Sequence, residues 1–285
     1  MRLIFTAIAV LVLWTACTST PGTGTESQQA KITIPQTLGP GLVVMYIANE
    51  GVLISSGEKQ VLIDGLHREY KRAYAFPPPE LRDALEFARA PFNQVDLVLV
   101  SHLHLDHFHP QSVGLHLKNN PGAILVSSDQ IVDGVKKDFE SFGEIESRVK
   151  RVTPEWKTKT ALTEKGVELT VLGLRHANAN FSWIQNLGHL ITIDGKKFLH
   201  VGDADGTVEN FAAFRLADEN IDVAFIPYWY LLSDSGRALV RDHIRPKHVI
   251  AVHISPDEGA TVTEQIRKAY PEAVAFTRIG ESRSF

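Results

Sequence analysis

The chain has 285 residues, 44% of them hydrophobic, enough to bury a full core in a single domain of ordinary size. Its 29 basic and 33 acidic residues leave a net charge of -4 with no long basic run. That balance argues against nucleic acid as the main partner and leaves a small-molecule substrate, small phosphodiesters included.

At the N-terminus, Arg2 precedes an apolar core over residues 3–13, too short for a comfortable membrane span and consistent with an export signal. The only cysteine of the chain, Cys17, stands where that core ends, in Trp14-Thr15-Ala16-Cys17. A lone cysteine excludes an intramolecular disulfide even in an oxidising compartment. Its placement resembles a bacterial lipoprotein signal, whose cysteine is acylated and becomes the mature N-terminus, although Trp14 replaces the usual leucine-like residue. The expectation is an exported lipoprotein with residues 1–17 as signal, anchored to the membrane through Cys17. An ordinary signal peptide with an incidental cysteine would instead leave a periplasmic protein. Residues 18–31 are rich in Thr, Ser, Gly and Gln and read as a flexible tether, which leaves 32–285 for the folded domain.

Short apolar runs at 42–47, 52–56 and 60–63 predict strands, broken by the hairpin signals Asn49-Glu50-Gly51 and Gly57-Glu58-Lys59. A helix is predicted over 79–90, opened by Pro79 and with Leu81, Ala84, Leu85 and Ala88 as its apolar face. The apolar run 96–101 reads as a buried strand, and 167–172 alternates as a half-buried one. Further helices are expected at 110–118, 128–139, 208–216 and 233–244, and a strand at 223–227. No internal repeat period is visible.

Directly after the run 96–101 comes His102-Leu103-His104-Leu105-Asp106-His107, in which four of six residues can bind metal. Imidazole and carboxylate suit divalent zinc, manganese or iron, and no thiolate is nearby. His102 and His104 point the same way on an extended segment, while Asp106 and His107 follow once the chain turns. A His-rich surface loop that never meets metal is the alternative, but this order at a strand end rarely arises by chance.

The spacing resembles the metallo-β-lactamase superfamily. Further residues follow that family's order: His176 after Gly173-Leu174-Arg175, Asp203 after Gly202, and His253 closing Val249-Ile250-Ala251-Val252. Upstream, Asp64 ends Val61-Leu62-Ile63, where the family places an aspartate that braces the metal loop. The resemblance runs from about Gly41 to Ile254. It implies an αββα sandwich of two mixed β-sheets flanked by helices, with the metal site on loops at one edge. It also implies two divalent metal ions, zinc first, with manganese or iron admissible. His102, His104 and His176 would hold one; Asp106, His107 and His253 the other; Asp203 would bridge them. A hydroxide between the metals would be the nucleophile, with Asp106 and Asp203 as the catalytic carboxylates.

His189, which opens an apolar strand, competes with His176, but the family's ligand lies on the loop before such a strand. His109 is a candidate neighbour of the metal loop. His67, His116, His200, His243 and His248 read as surface or hydrogen-bonded core groups, and Asp205 matches the motif less well than Asp203. Tyr228 and Trp229, at the end of the strand 223–227, either line a substrate pocket or simply pack. Tyr70, Tyr74 and Pro77-Pro78-Pro79 lie in a segment that often covers the site in this family.

The favoured function is a binuclear metal-dependent hydrolase acting on an ester, lactone or phosphodiester. The layout resembles the branch of ascorbate-lactone hydrolases and phospholipid-cleaving phosphodiesterases. A true β-lactamase is disfavoured, because its second-metal site usually lacks a bridging aspartate. A surface-tethered binding protein with a vestigial metal site is the alternative of another class. A flavin-linked diiron oxidoreductase is a third, with no flavin domain before Phe285.

Overall fold

The structure is a computed structural model that describes residues 34–39 and 41–285. The expected signal, Cys17 and the tether lie outside the described residues. In chain order the first strands are β1 (Val43–Ala48), β2 (Gly51–Ser55), β3 (Gln60–Ile63), β4 (Leu97–Val100), β5 (Ile124–Ser127), β6 (Val149–Arg151) and β7 (Lys159–Glu164). There follow β8 (Val167–Leu174), β9 (Asn186–Ile193), β10 (Lys196–His200), β11 (Val223–Pro227), β12 (His248–Val252), β13 (Val274–Ala275) and β14 (Ser282–Ser284). The helices are α1 (Pro79–Glu86), α2 (Pro110–Asn119), α3 (Asp129–Asp138), α4 (Phe142–Ile145), α5 (Val208–Phe211), α6 (Tyr228–Leu232), α7 (Asp234–Ala238) and α8 (Gly259–Ala269).

Two seven-stranded sheets result, ordered β14-β1-β2-β3-β4-β5-β6 and β13-β12-β11-β10-β9-β8-β7. Both are mixed: β1, β2 and β3 pair antiparallel while β3 to β6 run parallel, and the second sheet changes from parallel to antiparallel at β10. Strand periodicity explains the layering, because successive side chains face opposite sides. Val44, Tyr46, Val61, Ile63, Leu97 and Leu99 point to a core shared with Val171, Ile191, Phe198 and Phe225 of the second sheet. Their neighbours Met45, Ile47, Leu62, Val98 and Val100 pack instead on the helices α1 to α4. On the far side, Leu190, Leu199, Ala224 and Ala251 pack on Phe211, Leu231, Leu239 and Ile266. Both faces of each sheet are therefore covered, which is why these strands read as continuous apolar runs. The architecture is the expected αββα sandwich.

Local differences from the sequence reading have local causes. Helix α1 buries Leu81, Ala84 and Leu85 as expected, but it stops at Glu86. Ala88 turns left-handed (φ 46°), and the Arg89 amide returns to the Ala84 carbonyl at 2.8 Å, closing the helix end. The segment 233–244 is not one α-helix, since α7 passes into a π-helix over Leu239–Ile244. The segment 208–216 likewise divides into the single turn of α5 and short 3-10 turns. Ser128 caps α3 as its position suggests, its Oγ accepting from the Ile131 amide.

Candidate metal centre

The site forms where β3, β4, β10 and β12 end on one edge. Ser101 to His107 leave β4, and the Leu187 amide donates to the Ser101 carbonyl at 2.9 Å, tying this loop to the second sheet. Asp203 reaches the edge through Gly202, whose φ is +56° and whose Cβ position would lie 2.7 Å from the Ser101 Cβ. Only glycine fits that approach. Beside it, the Ala177 amide donates to the Asp203 carbonyl at 2.7 Å, and His176 bridges to Ala204, which brings the His176 loop alongside.

Two groups of ligand-type atoms converge there. His104 Nδ1 lies 3.0 Å from His102 Nε2 and 3.2 Å from His176 Nε2. Asp203 Oδ2 lies 3.7 Å from His102 Nε2 and 3.5 Å from His176 Nε2. In the second group, Asp106 Oδ2 stands 3.5 Å from His107 Nε2 and 3.4 Å from His253 Nε2. Asp203 Oδ1 completes it, 3.5 Å from His107 Nε2 and 3.3 Å from His253 Nε2. Four ligands at ~2.1 Å around a tetrahedral ion stand about 3.4 Å apart, so both groups have the dimensions of a metal shell. Asp203 Oδ1 and His253 Nε2 are buried without a hydrogen-bond partner, as ligand atoms facing an ion would be. The residues present therefore fit divalent metal ions, with Asp203 turning one oxygen to each group.

Hydrogen bonds behind the site set the tautomers. The Asp64 carboxylate accepts from the Ser101 amide at 2.7 Å and from Ser101 Oγ at 2.5 Å. With its own proton committed, Ser101 Oγ accepts from His102 Nδ1 at 2.9 Å. His107 Nδ1 donates to Asp64 Oδ2, also at 2.9 Å. With a metal bound, this arrangement would keep the proton of both histidines on Nδ1 and leave the Nε2 lone pair for the ion. Asp64 thus braces the metal loop from behind.

The site is electrostatically arranged for positive charge. Burial alone would suppress the charge of His107 and His253, but the carboxylates of Asp203 and Asp106 override it. His107 is raised well above the usual imidazole range and His253 to about 10. Conversely, burial raises the carboxyls of Asp106 and Asp203, and the adjacent imidazoles bring both well below the usual range. Burial and the neighbouring His107 push His102 down, keeping that imidazole neutral.

Of the residues singled out from sequence, His102, His104, Asp106, His107, His176, Asp203 and His253 are thus brought together. His253 follows β12 rather than closing it, with a left-handed φ of 63°, and its amide donates to the Asn49 carbonyl at 3.0 Å. His189 is not part of the cluster. It lies inside β9 opposite His200, fully buried, and neither ring nitrogen has a hydrogen-bond partner. His109 precedes α2 and stays outside the cluster, as does Asp205. His116 and His200 are core groups bonded to the carbonyls of Leu85 and Glu50. His67 departs from the expectation, being buried with both nitrogens unpartnered. Tyr228 and Trp229 line a groove beside His253, whereas Tyr230 turns inward and donates to the Ala204 carbonyl.

Two residues escaped the sequence reading. Asn49 Nδ2 donates to Asp106 Oδ2 at 3.0 Å and to the Asp106 carbonyl at 3.2 Å. Glu50 is buried near Asp203 and His107; neither carboxyl oxygen has a hydrogen bond, and Oε2 stands 3.7 Å from His200 Nε2. Burial, then the charge of Asp203, pushes its carboxyl up to about 8. Both occupy a hairpin turn, where Asn and Glu are ordinary residues, and only the close contact of β1–β2 with the metal loop gives them their place.

The sequence matches the family described as beta-lactamase superfamily domain over residues 61–275. Among solved structures, a possible metal-dependent hydrolase from Veillonella parvula is similar at 17% identity and a TM-score of 0.59, covering 87% of this chain and 100% of that one. A metallo hydrolase from the archaeon Ignicoccus hospitalis is similar at 18% identity and a TM-score of 0.51, covering 86% and 98%. CmlA, a diiron beta-hydroxylase from Streptomyces venezuelae, shares the fold at 14% identity and a TM-score of 0.54 over 87% of this chain. The present chain spans 55% of the length of CmlA.

Proposed function

Since this chain belongs to the beta-lactamase superfamily, we propose that it is a metal-dependent hydrolase whose two metal ions share Asp203. The observation that carries this reading is the division of one carboxylate between two histidine groups, Oδ2 toward His102 and His176, Oδ1 toward His107 and His253. Divalent ions held there would supply a hydroxide at neutral pH and polarise the bond to be cleaved.

The chain's own residues do the rest. Asp64 and Ser101 orient two imidazoles, Asp106 and Asp203 fix the separation of the groups, and Phe181 closes one side against the rings of His104 and His176 at 4.7 and 5.2 Å. Ester, lactone or phosphodiester bonds are the proposed substrates, with zinc as the first candidate ion. Metal analysis of purified protein tests the reading: about two ions per chain and metal-dependent turnover are expected. No binding after reconstitution would leave a protein with a vestigial site.

For location we propose, from the sequence around Cys17 alone, a lipid-anchored exported protein. Mass spectrometry of the mature N-terminus decides between a lipidated cysteine and a soluble periplasmic form.

A further inference from the structure

We propose that two buried side chains, His200 and Asn186, are positioning residues that aim Asp203 at both ligand groups by clamping the peptide unit between Val201 and Gly202; their effect on turnover rests on the hydrolase reading above. Asp203 leaves β10 through Gly202, and glycine has no conformational preference of its own to hold that corner. The peptide before it is held from outside. Its carbonyl, on Val201, accepts from Asn186 Nδ2 at 3.1 Å, and its amide, on Gly202, donates to His200 Nδ1 at 3.2 Å. A peptide unit is planar, so holding it at both its oxygen and its N–H resists rotation of the whole plane. Downstream, the Asp203 carbonyl takes the Ala177 amide at 2.7 Å and the Ala204 carbonyl takes the Tyr230 hydroxyl at 2.5 Å. With both sides tied, Gly202 cannot rotate without breaking a buried hydrogen bond, and the Asp203 carboxylate keeps its direction.

His200 is the member of the clamp that reaches farther. It ends β10, fully buried. An amide can only donate, so His200 Nδ1 accepts, and the ring is neutral with its proton on Nε2. That proton goes to the Glu50 carbonyl at 3.0 Å, and burial lowers the His200 imidazole, in keeping with a neutral ring. Glu50 follows Asn49, which meets Asp106 and His253. One imidazole thus joins the turn behind the second ligand group to the peptide that precedes Asp203. His189, directly opposite on β9, is equally buried and has no partner on either nitrogen, so a place between the sheets does not by itself give an imidazole two such contacts. Asn186 is buried too, its Oδ1 has no partner, and the bond to Val201 is what its amide makes there. A buried amide costs stability unless it is bonded, which leaves that bond as its use.

The test separates the two ends of the imidazole. His200→Asn places an amide oxygen near the position of Nδ1 and keeps an acceptor for the Gly202 amide, whereas His200→Gln places an amide nitrogen near Nε2 and keeps only the donor to Glu50. The full chain is loaded with Mn(II), and the magnetic coupling of the two ions is read by electron paramagnetic resonance beside kcat, KM and thermal unfolding. His200→Gln is expected to weaken the coupling and to lower kcat roughly 10–100-fold with little change in KM. His200→Asn should restore both to within a few-fold of the parent. Asn186→Leu, which nearly keeps the side chain's volume and removes only the donor to Val201, should resemble His200→Gln, and it decides alone if a His200 variant does not fold. Parental coupling and kcat in His200→Gln and Asn186→Leu, with loss of thermal stability alone, overturns the proposal, as does His200→Asn falling as far as His200→Gln. A parent with no coupled ion pair overturns the binuclear reading and the clamp together. Coupling that changes in these variants of a protein that cleaves nothing keeps the clamp and removes the hydrolase reading.

Discussion

The side-chain amide of Asn49 donates to Asp106 at Oδ2, 3.0 Å away, and so links a hairpin turn to a candidate metal ligand 57 residues further along the chain. The same residue accepts from the His253 amide through its carbonyl. Asn49 therefore holds two members of one ligand group at once. Its backbone is left-handed (φ 53°), a conformation asparagine tolerates better than most residues.

Asn49→Ala should weaken metal binding at the group of Asp106, His107 and His253 by roughly 10–100-fold, the usual range for losing a contact that orients a ligand. Chelator competition should show one tight and one weakened ion, with the group around His102 and His104 little changed. Equal weakening of both ions would show that the turn acts through the whole edge, not through Asp106.

Asp203→Ala removes the carboxylate that faces both groups. In the proposed binuclear site it would hold two ions at about 3.5–4 Å, a contribution of several kcal/mol realised in the transition state. The expected result is a fall in kcat on the order of a thousandfold with a smaller change in KM, read by steady-state kinetics at saturating metal. Efficient penicillin or carbapenem turnover that survives this change would place the chain with the antibiotic-degrading branch instead.

His176 and His189 separate ligation from packing. His176→Ala should lower metal content and reduce turnover at least about a hundredfold, because its Nε2 stands 3.2 Å from His104 Nδ1 and 3.5 Å from Asp203 Oδ2 in the first ligand group. His189→Leu should keep metal content and activity, since it exchanges an unpartnered buried imidazole for an apolar side chain of similar volume. Metal content and thermal unfolding of the two variants, measured side by side, check both halves. Loss of metal in His189→Leu would move the ligand into β9.

What could be read from the sequence follows from how local each signal is. The run His102 to His107 is contiguous, and Asp64 and Asp203 each end an apolar run, so their placement at strand ends was visible without tertiary knowledge. The sandwich was legible for the same reason, since buried strands such as Leu97–Val100 are apolar on both faces. Asn49 and Glu50 were not, because each owes its role to partners far along the chain. The early end of α1 was hidden because Ala88, a good helix former, takes a left-handed turn (φ 46°) that its residue type does not announce.

Acid sensitivity gives the last test. Burial, with His200 adding to it, lowers the His189 imidazole to about 3, below its ordinary value of 6.5. Between those limits the unfolded chain binds a proton that the folded chain does not. His189 therefore leaves stability intact above about pH 6.5 and erodes it as pH falls toward 3. Burial raises the Asp64 carboxyl, but His107 outweighs it and holds the group well below the usual range. Asp64 therefore also loses its contribution on acidification, in a lower window, below the ordinary carboxylate value. His189→Leu removes only the histidine term. Urea unfolding of metal-free protein should show the variant gaining on the parent as pH drops from 7 to 4, by on the order of 3 kcal/mol. A constant difference across that range would mean that the imidazole finds a proton acceptor in the folded core, and that its ring is solvated or hydrogen-bonded after all.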